Sequence, residues 1–241
     1  MSAHPSLPPV PSAALRGRLL LRVQASRGHE RQFTTVRRDV EPWQALADGV
    51  RVRPLATTDI ASSSLVHLQP HAVLCTTGPY TLCETVLIEG SVLLGTQPLR
   101  TGDAALAPSD AAHPIRAGAD GARFYLRRSL AETAATTLHF STLDDTGWDD
   151  FCPGVRIRAL WSGGERRSVL VRMRAGASVK AHRHALEEEC MVLAGEAFIG
   201  DMLLRSGEYQ LAPQGSEHGE VSTDVGALFF VHGALDPTAY A

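Results

Sequence analysis

The sequence predicts an all-β chain built from two tandem copies of one sandwich- or barrel-type unit, related by internal duplication. Three observations lead there. Shifted by 105 positions, the sequence overlays on itself without a gap: Trp43 falls on Trp148, Gly90 on Gly195, Leu99-Arg100 on Leu204-Arg205, Gly102 on Gly207, Pro108 on Pro213, His113 on His218 and Phe124 on Phe229. Short β-rich runs, 168–173, 189–193 and 227–231, are punctuated by Gly176, Gly195, Gly207, Pro213 and Gly215. Many short strands between turn residues favour a sandwich or barrel. No stretch of useful length carries the helical period.

A constant shift held over so long a span divides the chain. Residues 34–130 form the first unit, 131–138 a joining segment and 139–241 the second unit, with residues 1–33 ahead of both. The first 29 residues contain no Asp or Glu, four prolines (Pro5, Pro8, Pro9, Pro11) and four arginines (Arg16, Arg18, Arg22, Arg27). An organelle transit segment has this composition. A flexible tail, or an arm packing on a neighbouring copy, explains it more simply and is the reading adopted. Such an arm makes a homodimer an expectation.

Composition narrows the function classes. A net charge of −3, 44% hydrophobic and 20% charged residues fit a soluble globular protein and speak against a nucleic-acid surface or polybasic membrane patch. No apolar run approaches the length of a membrane helix. The four cysteines, Cys75, Cys83, Cys152 and Cys190, form no CxxC pair and read as reduced, mostly buried thiols of a cytoplasmic protein.

Chemistry concentrates in the second unit. Alternate residues of a strand share a face, so His182 and His184 point the same way. Glu188 keeps that parity if residues 185–187 turn the chain, and His218 arrives from a later strand after the turn at Pro213 and Gly215. Three imidazoles and a carboxylate converging inside a barrel suit a first-row transition metal. Glu187 and Glu189 are rival carboxylates; Glu187 falls in the turn and Glu189 has the opposite parity. Cys190 shares the inward face of Glu188, as a packed core thiol or a group beside the ligands.

These segments resemble the paired cupin motifs, G-x5-H-x-H-x3-E-x6-G from Gly176 to Gly195 and G-x5-P-x-G-x2-H-x3-N from Gly207 onward, with Ser222 in place of the final Asn. Among cupins the chain is most similar to the ChrR-like branch, the C-terminal domain of the anti-sigma factor ChrR, through the short H-x-H-x3-E-E segment and the lead-in Trp148…Pro153-Gly154-Val155. The resemblance implies two tandem cupin barrels (double-stranded β-helix, or jelly-roll) and one divalent metal ion on His182, His184, Glu188 and His218. Zinc is the metal expected as purified, with iron, manganese or nickel as alternatives.

The first unit has lost this site. The equivalents of the four ligands are Thr77, Pro79, Cys83 and His113, of which His113 alone is a matching ligand type. A metal there would have to recruit groups such as Cys75, Glu84 or His71. A barrel kept for packing is the simpler expectation.

Three functions are carried forward. The ChrR resemblance implies a metal-bearing regulatory cupin of the oxidative-stress type, acting through a small-molecule ligand or a protein partner. The 33 residues before the first unit show no zinc-binding Cys/His segment, so sigma-factor binding by that route is not expected. A mononuclear metal-dependent dioxygenase for a small diketone-like substrate is the alternative. A binding module with purely structural zinc is the third. Glu220, Tyr209 and His232 are near enough in sequence to weigh as acid or base.

Overall fold

The computed structural model describes residues 31–234 except 41, 77, 109–112, 131–138, 144 and 145, together with 16, 17, 20, 21, 23, 24, 27 and 28. The described residues from 16 to 28 have helical backbone, a feature the sequence pattern does not signal; nearly everything that follows is strand or turn. No described helix is long and apolar enough to cross a membrane. The expected joining segment 131–138 lies outside the described residues.

Two antiparallel sheets dominate, one of nine strands and one of ten, with a separate two-stranded ribbon, His182–Arg183 against Glu217–His218. The strands of the two halves recur at the offset seen in the sequence. Ala61–Leu68 answers to Arg166–Met173, Val73–Leu74 to Ser178–Val179, and Gln97–Arg100 to Met202–Arg205. The pairing is also the same: Ala61–Leu68 joins Ile115–Ser129 as Arg166–Met173 joins Ala227–Gly233. The architecture is two tandem jelly-roll barrels.

The lead strand of each half crosses to the other. Thr34–Val36 pairs with Tyr209–Ala212 of the second barrel, Thr34 opposite Leu211. His139–Ser141 pairs with Ala104–Pro108 of the first, His139 opposite Leu106. Backbone hydrogen bonding therefore ties each barrel to the segment that precedes the other.

Strand alternation decides what each barrel holds. On Leu82–Leu94, residues Leu82, Val86 and Ile88 pack into the layer between the barrels, while Cys83 and Leu87 fill the first barrel's own interior. On Glu188–Ile199, Met191 and Leu193 face that shared layer and Val192 and Cys190 face the second barrel's interior. Burial on both faces explains the near-continuous apolar runs in these strands. The first interior is packed with aliphatic side chains, among them Val66, Leu68, Leu87 and Leu99.

Gly90 and Gly195, equivalent positions, show why that residue is needed. Both have φ in the left-handed region, +80° and +72°, and an added Cβ would fall 2.2 Å and 2.0 Å from the carbonyl oxygens of Gly121 and Gly226. Only a residue without Cβ fits there.

Candidate metal centre

The four side chains singled out by the sequence come together at one end of the second barrel. The donor atoms of His182, His184, Glu188 and His218 all lie within 4.8 Å of one another. The ribbon accounts for half of this, because His182 and His218 are direct cross-strand partners, and opposed residues hold their side chains close. Their ring centroids are 4.4 Å apart, and those of His184 and His218 4.7 Å. Glu188 enters from the start of its long strand, with Oε1 3.5 Å from His184 Nε2.

Each imidazole is oriented from behind. His182 Nδ1 lies 2.9 Å from the Lys180 carbonyl, His184 Nδ1 2.9 Å from Ser216 Oγ, and His218 Nδ1 2.9 Å from the Gly219 carbonyl. Ser216 gives its own hydroxyl proton to the Pro213 carbonyl, so it accepts from His184. With carbonyl and hydroxyl oxygens as acceptors, each Nδ1 carries the proton and each Nε2 keeps its lone pair for the centre. His184 Nε2 is buried without a hydrogen-bond partner. Burial, reinforced by the neighbouring His182 and His184, pushes His218 down to about 4, so the ring is neutral and ready to ligate. Three lone pairs and a carboxylate aimed at one point fit a divalent cation.

Beside the four groups is a chamber of about 80 Å³ whose walls include Phe151, Val171, Ile199, Val221 and Phe229. Cys190 also lines it; burial, with Glu188 beside it, holds the thiol well above its usual range and therefore neutral. Glu187 and Glu189 are not part of the cluster.

Residues 136–236 match the family described as ChrR Cupin-like domain. No curated protein matches the chain. Among solved structures, a protein described as glyoxylate-induced from Pseudomonas aeruginosa superposes with TM-score 0.68 at 12% identity, covering 85% of this chain and 89% of its own. A mutant of Bacillus subtilis oxalate decarboxylase gives 0.63 at 15% identity, covering 86% and 78%. A protein described as a dioxygenase from Nostoc punctiforme gives 0.62 at 19%, covering 83% and 82%.

The second barrel is a ChrR-like cupin domain. Over both barrels the likeness to solved structures shows the cupin fold.

At the equivalent positions the first cupin barrel presents different groups. Cys83 is 3% exposed among aliphatic neighbours, Pro79 and Cys75 are exposed, and Thr77 lies outside the described residues. His113 is half-buried, its Nδ1 without a hydrogen-bond partner. Of the four cysteines only Cys83 is fully buried, against the expectation that most would be.

What the sequence reading missed lies between the barrels. Glu189, excluded as a ligand by parity, points into the shared layer. Its Oε1 accepts from Arg127 Nε at 2.7 Å, and its Oε2 accepts from Ser63, Tyr125 (3.1 Å) and Tyr209 (2.9 Å). Arg127 also donates to Glu84 Oε2 at 2.9 Å. The network follows the 105-residue offset: Ser63 and Ser168, Glu84 and Glu189, Arg127 and His232 are pairs at that spacing. One arginine thus serves two buried carboxylates. Burial raises Glu84, whereas for Glu189 burial is outweighed by Arg127 and the hydrogen bonds, which hold it below the usual carboxylate range. Tyr209 and His232, weighed as acid or base, both belong to this layer and do not line the metal chamber; neither does Glu220. The internal overlay was the available signal, since it aligns Glu84 with Glu189 and Ser63 with Ser168.

Proposed function

We propose that this chain is a metal-bearing regulatory cupin, with one divalent ion held by His182, His184, Glu188 and His218 next to a small apolar chamber. The observation that carries the reading is the chamber itself. At about 80 Å³ it admits a few heavy atoms, whereas sites that turn over organic substrates usually offer about 300 Å³ or more. Its titratable lining, apart from metal-directed side chains, is the neutral thiol of Cys190. A site without a positioned acid or base suits binding better than turnover.

Within this reading the protein's own groups have distinct tasks. Lys180, Ser216 and Gly219 fix the rings so that Nε2 faces inward. Phe151, Val171 and Phe229 give the chamber apolar walls. A bound divalent ion supplies Lewis acidity and positions for a small oxygen-bearing ligand. The open chamber speaks against purely structural zinc, which closes its coordination with protein groups alone. It favours, as a second reading, a dioxygenase restricted to very small substrates.

Metal analysis of protein purified without chelator, followed by O₂ consumption of the Fe(II)-loaded protein with small diketones and hydroxy ketones, separates the two. The regulatory reading expects zinc and no O₂ uptake. Substrate-dependent uptake would replace it with the oxygenase.

A further inference from the structure

A second cavity, of about 530 Å³, opens between the two barrels, lined by Arg127 and Leu130 from the first and by Trp161, Glu165, Arg166 and Leu186 from the second. It falls within the usual range for small-molecule sites, about 300–1,000 Å³, and it shares no lining residue with the metal chamber.

Three charged side chains set what it can hold. Arg127 is 4% exposed, with Nε given to Glu189 and Nη1 to Glu84. Its Nη2 makes no hydrogen bond among the described residues, and it is not one of the fully buried polar atoms that lack a partner. Nη2 therefore keeps accessible surface, on a residue that lines the cavity. Glu165 and Arg166 reach the same cavity from the turn between paired Gly163 and Arg166, the arginine half-buried and the glutamate exposed. Neither has an ion pair or a side-chain hydrogen bond among the described residues. His232 also lines the cavity, but its ring is 2% exposed and burial pushes it down to about 3, so it adds no charge. Glu84 and Glu189 stand behind Arg127 and are not part of the lining.

Those charges restrict the ligand. A simple anion would pair with the arginines but set its charge beside Glu165. A simple cation would pair with Glu165 but meet Arg127 and Arg166. A zwitterion answers both signs. Its carboxylate takes guanidinium N–H groups, whose geometry matches two carboxylate oxygens, and its ammonium faces Glu165. Trp161, Leu130 and Leu186 give the rest of the molecule an aromatic and aliphatic wall, which suits an apolar side chain.

We propose that the cavity between the barrels binds an apolar α-amino acid as its zwitterion, the carboxylate on Arg127 Nη2 and Arg166, the ammonium toward Glu165 and the side chain against Trp161. The test is calorimetric titration of the full chain, as purified and chelator-stripped, with L-phenylalanine, with phenethylamine, which lacks the carboxylate, and with 3-phenylpropionate, which lacks the ammonium. L-phenylalanine is expected to bind, and phenethylamine to bind about tenfold more weakly or not at all, because it loses charge-assisted hydrogen bonds to a buried guanidinium. 3-Phenylpropionate binds about threefold more weakly, the smaller loss expected for a pair with an exposed carboxylate. Arg166→Gln weakens L-phenylalanine about tenfold, with its melting curve read alongside. Glu165→Gln, on the exposed turn, brings L-phenylalanine and 3-phenylpropionate to equal affinity. Stripping the metal leaves L-phenylalanine affinity unchanged. Five results would each overturn the proposal: no L-phenylalanine binding at millimolar concentration, phenethylamine or 3-phenylpropionate binding as well as L-phenylalanine, unchanged affinity in Arg166→Gln, or loss of binding on chelation.

Discussion

The ring of Phe33 stands nearly perpendicular to the imidazole of His184, 6.4 Å between centroids at 88°, and its centroid is 6.3 Å from that of His218. Phe33 immediately precedes the strand Thr34–Val36, which is paired to the second barrel. The segment leading into the first unit therefore covers two of the four groups at the candidate centre of the second, and Phe33 itself is 9% exposed. Removing the ring lets water reach both imidazoles without touching a ligand. Phe33→Ala is expected to release metal to a chelator about tenfold faster, in line with other groups that support ligands from behind. Release is followed by the absorbance of a chromogenic chelator; an unchanged rate would mean that Phe33 only packs.

Ser216 tests orientation alone. It accepts from His184 Nδ1 and donates to the Pro213 carbonyl, and it contributes no donor atom to the cluster. Ser216→Ala frees the ring to rotate and leaves Nδ1–H buried without an acceptor. Metal affinity should fall about 10–100-fold, less than for Glu188→Gln, which removes the carboxylate itself. Competition against a fluorescent chelator gives both numbers. An equal or smaller loss for Glu188→Gln would remove the carboxylate from the assignment.

The sequence showed the candidate site more completely than its surroundings. Strand parity placed His182 with His184 and separated Glu188 from Glu189, because a pleated strand leaves no freedom in which face a residue takes. The long-range convergence of His218 came from motif spacing. Phe33 was invisible because its contact depends on a lead strand crossing to the other barrel, which no local pattern encodes. Arg127 was equally hidden: its partners Glu84 and Glu189 lie on strands of different sheets, so their meeting depends on how the barrels dock.

Acid should weaken the metal-free protein through its histidines. Burial pushes His218 down to about 4 and His232 to about 3, against 6.5 for a free imidazole. The unfolded chain takes up these protons near 6.5 and the folded chain resists them. Stability present above that pH is therefore lost as pH falls, toward 4 for His218 and toward 3 for His232, about 3–5 kcal/mol each at the limit. Glu189, held low, acts in the same direction in the acid range, and Glu84, held high, opposes it. Urea midpoints of chelator-stripped protein at pH 7, 6 and 5 should fall in that order. A flat or rising series would show that neither imidazole is buried as described.

The layer between the barrels gives the strongest stability prediction. Among the described residues, Arg127 is the one cation hydrogen-bonded to both Glu84 and Glu189, all three being less than 6% exposed. Arg127→Met leaves two carboxylates in an apolar layer beside Met191, Leu170 and Phe230. The expected loss is about 3–5 kcal/mol, the usual cost of breaking a buried ion pair from one side. Replacing all three charges together, Glu84→Gln, Arg127→Met and Glu189→Gln, keeps acceptors for Ser63, Tyr125 and Tyr209 while removing the unpaired charge, so most of that loss should return. Urea unfolding of the two variants decides the matter. If the triple variant is no more stable than the single one, the cost lies in lost arginine packing, and the two carboxylates do not depend on Arg127 for their charge balance.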